Sequence, residues 1–204
     1  MNQETLYKLS YGLFVLTTKN ADTHNGCIIN TAIQAASEPN RICFSVNKQN
    51  LTRDMIDEGG IFTLSIISQE ADFELFKHFG FQSGRQTDKF ENFPHTHATQ
   101  NGTLAITRGT NAYISGKVVY QLDLESHTLF VADVTEMEVL SDAASATYAY
   151  YHAKIKPKSQ PKAPEGKTVW RCKICGYEYE GEVLPEDFIC PLCKHPASDF
   201  EKVQ

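Results

Sequence analysis

Four cysteines close together near the carboxyl end constrain this 204-residue chain more than any other feature. Cys172 and Cys175 form one Cys-x-x-Cys pair, and Cys190 and Cys193 form a second pair. Fourteen residues lie between Cys175 and Cys190. Two such pairs can place four thiolates around one tetrahedral ion. In a reducing compartment this crowding indicates a metal site and not a set of disulfides. We therefore predict these four cysteines as metal ligands.

The spacing alone leaves the metal open between zinc and iron. A zinc ribbon has similar ligand spacing, and zinc would make the tail a structural or partner-binding module. Iron held by four thiolates would instead carry single electrons. The zinc-ribbon interaction module is therefore the alternative function.

The residues around the cysteines resemble rubredoxin from Thr168 to Val203. Trp170 and Tyr177 flank the first pair, and Asp187-Phe188 precedes the second pair. The short spacing between the pairs is similar to the compact form at the end of rubrerythrins. This resemblance implies one iron bound by the four cysteine thiolates and an electron-transfer role.

A proline-rich segment, residues 156–167, separates this tail from the rest of the chain. It reads KPKSQPKAPEGK and contains three prolines and no large apolar side chain. Such a segment cannot contribute to a core and predicts an extended, semi-stiff spacer. We expect a first domain over residues 1–155, a linker over 156–167 and a small domain over 168–204.

The first domain reads as mainly β with a few helices (α+β), without regular strand–helix alternation. This pattern predicts a closed or partly closed barrel. The strand predictions are Leu13–Thr18, Cys27–Ile29, Arg41–Val46, Ile61–Ile67, and a hairpin of Ala112–Gln121 with Thr128–Met137. A turn is predicted at His24-Asn25-Gly26. The helix predictions are Leu51–Glu58 with an Asn50 or Thr52 cap and a Gly59-Gly60 stop, Gln69–Phe79 between Ser68 and Gly80, and Ala143–Ala153.

Two polar segments of the first domain suggest a ligand site. Residues 30–34 combine three hydrogen-bonding side chains with a small one, and residues 45–52 run from a strand end into a helix start. Backbone N–H groups at a helix N-terminus, a threonine hydroxyl and a lysine suit a phosphate. Ordinary helix capping produces the same residue types, so composition alone favours capping.

The order of these segments resembles the flavin reductase family over about residues 6–153. Gly26, Asn30 and Gln34 match one motif, a Ser-x-Pro segment follows, and the block from Phe79 to Phe90 matches another. The resemblance implies a split β-barrel that binds FMN. It implies contacts to the flavin ring, to the ribityl chain and phosphate, and to the flavin edge. The implied residues are Asn30, Thr31, Ala32 and Gln34 for the ring; Ser45, Asn47, Lys48, Asn50 and Thr52 for the ribityl chain and phosphate; and Ser83, Gly84 and Lys89 for the flavin edge.

Other candidate residues have simpler readings. His95 and His97 could chelate a metal, but a His-x-His in a loop is more often exposed. Cys27 and Cys43 are expected to be buried as small apolar residues. The sequence contains no dinucleotide-binding GxGxxG in a strand–helix context, no HExxH and no GxSxG.

Composition restricts the partners. The formal net charge of −6 argues against general nucleic-acid binding, which normally needs a basic face. No apolar run approaches the ~20 residues of a membrane helix, and residues 1–10 lack the pattern of a signal peptide. These features predict a cytoplasmic protein.

The two resemblances together predict an electron carrier. A nicotinamide delivers two electrons as hydride, iron accepts one, and a flavin can accept two and release them singly. The fusion implies NAD(P)H as donor, FMN and iron as cofactors, a redox protein such as a flavodiiron oxygen or nitric oxide reductase as acceptor, and a homodimer. A reductase that uses FMN as a diffusing substrate is a further possibility.

Overall fold

The computed structural model of the protein describes residues 3–157, 168–174, 176–190 and 195–203. The chain divides into two compact units, Met1–Ile155 and Lys156–Gln204. Most of the predicted linker, residues 158–167, lies outside the described residues. Within the described parts of the chain, no helix is long and apolar enough to span a membrane.

A seven-stranded antiparallel sheet forms the first unit. The strands of this unit are β1 Phe14–Asn20, β2 Thr23–Ile29, β3 Ala32–Ser37, β4 Asn40–Asn47, β5 Ile61–Ile67, β6 Thr96–Ala98, β7 Leu104–Ile106, β8 Thr110–Asp123 and β9 His127–Val139. The main sheet has the order β2-β1-β5-β8-β9-β4-β3, and β6 pairs with β7 separately. The prediction of a mainly β fold with few helices is therefore confirmed.

Helices cover the sheet at three points, α1 Leu51–Gly59, α2 Phe73–Gly80 and α3 Tyr148–Tyr150. A 3-10 turn, Gln3–Lys8, precedes the sheet, and a π-helical turn, Tyr151–Ile155, follows α3. The side chain of Asn50 caps α1 by accepting a hydrogen bond from the Thr52 N–H. Gly60 ends α1 in the left-handed conformation that favours glycine, with φ 68°. Both termini agree with the sequence prediction.

Alternating side chains of β1 supply two hydrophobic clusters. Phe14 and Leu16 point to one cluster, whereas Leu13 and Val15 point to the other, as the period of a strand requires. The first cluster centres on Phe44, whose ring contacts those of Phe62 and Phe130. It contains Phe14, Leu16, Cys27, Ile29, Ile42, Phe44, Val46, Ile56, Phe62, Leu64, Phe130 and Ala132. The second cluster joins β1 and β5 to the helices and contains Leu13, Val15, Ile67, Ala71, Leu75, Phe76, Phe79, Ile106, Ala146 and Tyr151.

The predicted start of the second helix was wrong. The helix begins at Phe73, after the cap residue Asp72, and not after Ser68. The backbone N–H of Ser68 donates to Gly109 and that of Gln69 donates to Ala144. These tertiary bonds hold Ser68 and Gln69 out of the helix, and a turn closed by the Ala71 N–H to the Ser68 carbonyl follows, so α2 begins four residues later than predicted.

The predicted turn at His24-Asn25-Gly26 was also wrong. These residues lie inside β2, and the turn falls three residues earlier, at Ala21-Asp22, where Ala21 adopts a φ of 49°. Asn25 and Gly26 pair with Thr18 and Thr17 of β1, which keeps the segment extended.

The helix predicted from Ala143 is also shorter than expected. Ala146 donates its N–H to Ile67 and Ser145 forms a bridge with Ser68, so residues 143–147 follow the sheet. Helical structure begins only at Tyr148.

A small three-stranded sheet forms the second unit. Its strands are β10 Val169–Cys172, β11 Glu178–Glu180 and β12 Phe200–Lys202, in the order β11-β10-β12. A 3-10 turn, Ala197–Asp199, leads into β12. Phe188 packs against the rings of Tyr177, Tyr179 and Phe200 and forms the aromatic centre of this unit.

Candidate functional site

The end of β4 and the start of α1 bring together one set of predicted ligand residues. Ser45 and Asn47 lie at the end of β4, Lys48 follows, and Asn50 and Thr52 begin α1. The Asn47 side chain accepts from the Gln49 N–H at 2.9 Å, which shapes the connection. Asn47 is exposed and Ser45, Lys48 and Asn50 are half-buried, so these four are open to a ligand.

Lys48 is held by a carboxylate of the neighbouring hairpin. Its ammonium donates to both oxygens of Asp123, at 2.6 and 2.7 Å. The hydrogen bond from Lys48 holds the pKa of Asp123 below its ordinary value. The backbone N–H of Lys48 also donates to Ser126, so the β8–β9 turn lies beside the start of α1.

Thr52 and Lys89 lie inside the unit, although the sequence suggested that both contact a ligand. Thr52 is fully buried, and its hydroxyl oxygen accepts from the Asn25 side chain at 3.0 Å. Lys89 is 3% exposed, and its ammonium donates to the carbonyl oxygens of Gly26 and Phe79 at 2.8 and 3.0 Å. Burial lowers the pKa of Lys89 and raises that of the adjacent Cys27 thiol.

The loop that carries Ser83 and Gly84 contacts the first turn of α1. A Cβ added to Gly84 would lie 2.3 Å from the Asn25 side-chain oxygen, so only glycine fits this approach. Arg85 donates a hydrogen bond to Asp54, which lies in the first turn of α1. The loop therefore lies against the helix end that the polar residues of β4 also approach.

The predicted ring contacts lie on or beside β3. Thr31 donates to the carbonyl oxygen of Ser45 at 3.0 Å, which joins this segment to β4, and Asn30 precedes Thr31. Ala32 and Gln34 line a pocket of about 380 Å³ at one end of the barrel. The other lining residues are Phe14, Ile33, Asn40, Ile42, Leu64, Ile66, Ile114, Val134 and Met137. A mostly apolar pocket with a few polar groups is typical of small-molecule sites.

Two arginines and an asparagine of this site had been assigned no role from the sequence. Arg53 donates to Asp54 at 3.2 Å and lies 3.5 Å from Asp57, while Arg85 pairs with the other oxygen of Asp54. Burial acts to raise the pKa of Asp54, but the hydrogen bonds from Arg85 and Arg53 outweigh it and lower the pKa. The signal for Arg85 was its place in the same motif as Ser83 and Gly84. Asn25 gave no signal, because it was assigned to a turn.

This arrangement fits an anionic group. Lys48, Arg53 and Arg85 surround the first turn of a nine-residue helix, whose N-terminus carries a partial positive charge. Each cation is paired with a carboxylate. A phosphate would therefore bind in competition with Asp123 and Asp54 for these side chains.

Two of the four predicted metal ligands lie among the described residues of the second unit. Cys172 and Cys190 are both buried. The other two predicted ligands, Cys175 and Cys193, lie outside the described residues. Within the described residues no group of three metal-binding side chains comes together.

The backbone around these cysteines has the form of metal-binding turns. The Gly176 N–H donates to the Cys172 carbonyl at 2.8 Å, and Gly176 has a φ of 74°, which favours glycine. The Cys190 N–H likewise donates to His195 at 2.8 Å. Two turns that each bury a cysteine side chain fit the chemistry of a four-cysteine metal site.

The remaining candidates are two histidines and two cysteines of the first unit. His95 lies just before β6 and His97 lies on it, and both side chains are exposed, in agreement with the prediction that they face solvent. Cys27 is buried, but Cys43 is half-exposed on β4, because its side chain points away from the cluster that takes Ile42 and Phe44. The expectation that Cys43 is buried was wrong.

The fold and these two sites define a flavin-reductase type of barrel joined to a rubredoxin-like unit, and comparison with known proteins agrees. Residues 6–159 match the Flavin reductase like domain family, and residues 170–201 match the rubrerythrin, rubredoxin-like domain. The chain therefore belongs to the flavin reductase-like family and carries a rubredoxin-like domain. It is an oxidoreductase of the flavoprotein class.

Two relatives and one structure illustrate the similarity. The chain is 33% identical to the high molecular weight rubredoxin of Moorella thermoacetica, with 100% of each chain covered. It is 36% identical to a ferric-chelate reductase (NAD(P)H) of Archaeoglobus fulgidus, over 83% of this chain and 98% of that protein. An FMN-binding protein of Thermus thermophilus has the same fold, with a TM-score of 0.60, 18% identity, and coverage of 66% of this chain and 73% of that one.

Proposed function

We propose that this protein relays electrons from NAD(P)H through FMN to one iron bound by four cysteines, and from the iron to an acceptor protein. The observation that carries this proposal is the presence of both redox domains in one chain, together with full-length similarity to a high molecular weight rubredoxin. The relative named as an NAD(P)H-dependent ferric-chelate reductase supports a nicotinamide donor.

In this proposal the residues around α1 hold the phosphate and ribityl chain of FMN. Lys48, Arg53 and Arg85 supply positive charge, and Ser45, Asn47, Asn50 and Ser83 supply hydrogen bonds. Asn30, Thr31, Ala32 and Gln34 lie beside the ring. Bound flavin would accept two electrons from a nicotinamide and release them singly.

In the second unit Cys172, Cys175, Cys190 and Cys193 hold the iron. A reducing compartment such as the cytoplasm would keep these thiols available for the metal. We propose a flavodiiron oxygen or nitric oxide reductase as the acceptor.

We further propose a homodimer. Apolar side chains that are more than half exposed on the β8–β9 hairpin and on β3 support it, since such surface is commonly covered by a partner. They are Ile33, Tyr120, Leu122, Met137 and Val139.

An anaerobic titration with NADH tests the relay. Flavin and iron absorb at different wavelengths, so their reduction can be followed separately in FMN-loaded and FMN-free protein. We expect the iron to be reduced only when FMN is bound. Equal reduction of iron without FMN would contradict the relay, and metal analysis that finds zinc in natively produced protein would favour the interaction-module alternative.

A further inference from the structure

The loop of residues 81–93, here called the anchored loop, contains no helix or strand between α2 and β6. It nevertheless carries Ser83, Gly84 and Arg85. Gly84 lies next to Asn25 of β2, and Arg85 donates a hydrogen bond to Asp54 in the first turn of α1. A long segment without regular structure needs other contacts to hold a defined position. Side-chain contacts must therefore fix the position of this loop.

Lys89 makes the most buried polar contact of the anchored loop. Its side chain enters the protein between β2 and the end of α2, and its nitrogen donates to Gly26 on β2 and to Phe79 on α2. The Lys89 carbonyl in turn lies 2.6 Å from the ring nitrogen Nε2 of His78. One residue thus ties the loop to a strand and to a helix.

The two hydrogen bonds from Lys89 do not require its ammonium to stay charged. A neutral amine retains two N–H donors, which is the number that the two carbonyl oxygens need. Removing the nitrogen would leave both carbonyl oxygens buried without their partner, which is costly inside a protein. The position of the loop therefore depends on the N–H donors of Lys89 and not on its charge.

A second contact, made by Asn25, connects the anchored loop to α1. Asn25, one residue before Gly26, donates to the hydroxyl oxygen of Thr52 on α1 and packs directly on Gly84. Strand β2 therefore carries both the acceptor of Lys89 and the side chain that meets Gly84 and Thr52. The anchored loop and the first turn of α1 are aligned on the same two strand residues.

We propose that Lys89 is a positioning residue of the flavin site, which holds the anchored loop so that Ser83, Gly84 and Arg85 face the group bound at the N-terminus of α1. This inference rests on the proposed function, because it assigns that group to the FMN phosphate. Lys89 acts from inside the unit and does not touch the ligand. It sets the affinity for the phosphate part of FMN.

The test compares binding of FMN with binding of riboflavin, which lacks the phosphate, to the full-length protein. Quenching of flavin fluorescence measures both affinities for wild type and for Lys89→Met, which keeps the apolar stem and removes the donors. We expect Lys89→Met to weaken FMN binding by roughly 10-fold or more and riboflavin binding by less than about twofold. The matched control is Lys77→Met, because Lys77 lies nearby on α2 but pairs only with Glu74 at the surface.

Gly84→Ala provides a second variant that leaves Lys89 intact. The added Cβ would collide with Asn25 and push the loop away from α1, so we expect the same selective loss of FMN affinity. This variant decides the matter if Lys89→Met fails to fold.

Hydrogen exchange of the unliganded protein gives an independent readout. We expect faster exchange at the amides of residues 81–93 in Lys89→Met, with unchanged exchange in β5 and β8.

Three outcomes would overturn the proposal. In the first, both flavins bind Lys89→Met or Gly84→Ala as tightly as wild type, which refutes the role of Lys89 while the proposed function stands. In the second, both affinities fall equally along with the melting temperature, which shows a general structural role. In the third, wild type binds neither flavin, which removes the proposed function and this inference together.

Discussion

The barrel unit and the rubredoxin-like unit differ in the source of their stability. The barrel contains hydrophobic clusters of twelve and ten buried side chains, joined by a seven-stranded sheet. Among the described residues of the second unit, four apolar or cysteine side chains are buried, Val169, Cys172, Cys190 and Phe200, and two of these are predicted ligands. Below roughly 40 residues a chain usually needs a metal or disulfides to fold. We therefore expect the barrel to fold without its cofactor and the small unit to fold only with its metal.

The largest expected effect comes from removing one thiolate. Cys172→Ser should unfold the second unit, because metal binding in such domains contributes on the order of 10 kcal/mol to folding. The melting transition of the barrel should not move. Differential scanning calorimetry checks both transitions, and Cys43→Ser is the control, since it removes a half-exposed thiol outside the ligand set. A mutant that melts at one lower temperature throughout would refute the independence of the two units.

A core truncation in the barrel should have the opposite pattern. Phe44 is fully buried and contacts the rings of Phe62 and Phe130 at centroid distances of 4.7 and 5.5 Å. Phe44→Ala should reduce the free energy of unfolding of the barrel by about 3–5 kcal/mol, with the iron spectrum unchanged. Urea unfolding followed by fluorescence and by iron absorbance measures each unit. Leu6→Ala, at a side chain 59% exposed and outside the proposed dimer surface, should leave both unfolding curves in place.

The barrel also contains a buried polar network, which centres on the side-chain amide of Asn101. Asn101 donates to the carbonyl oxygens of Phe62 and Gly116 and accepts from the hydroxyls of Thr99 and Thr103. Asn101→Ala should cost about 2–3 kcal/mol of barrel stability, since it leaves several of these groups unpaired. Chemical unfolding measures it against Gln121→Ala, an exposed amide on β8. A cost below that of the control would show that water replaces the amide.

The smallest expected effect concerns the ligand site itself. In the proposed FMN site Asp123 would compete with the phosphate for Lys48, so Asp123→Asn should strengthen FMN binding by up to about fivefold, as expected for an exposed ion pair. Riboflavin binding should not change. Isothermal titration calorimetry compares the two ligands, with Asp22→Asn as a control at an exposed turn. Weaker FMN binding would mean that Asp123 holds Lys48 in its binding position.

Local sequence signals were sufficient where the chain makes local contacts. The limits of α1 follow from Asn50 and Gly60, whose capping bonds lie within the same segment. The β8–β9 hairpin and β5 followed from their alternating or continuous apolar pattern.

Predictions failed where distant contacts decide the conformation. Ser68 looked like a helix cap, but it bonds to Gly109, and His24-Asn25-Gly26 looked like a turn, but it pairs with β1. Lys89 shows the same limit in the site, because only the fold reveals that its nitrogen points inward to Gly26 and Phe79. The direction of such a side chain depends on tertiary structure, which the motif does not contain.

The central claim is that electrons pass from flavin to iron within one protein molecule. Anaerobic stopped-flow mixing of the FMN-loaded protein with excess NADH tests it directly, with iron reduction followed over a tenfold range of protein concentration. The account predicts a first-order rate constant that does not depend on protein concentration. A rate that rises in proportion to protein concentration would show transfer between separate molecules and would contradict it.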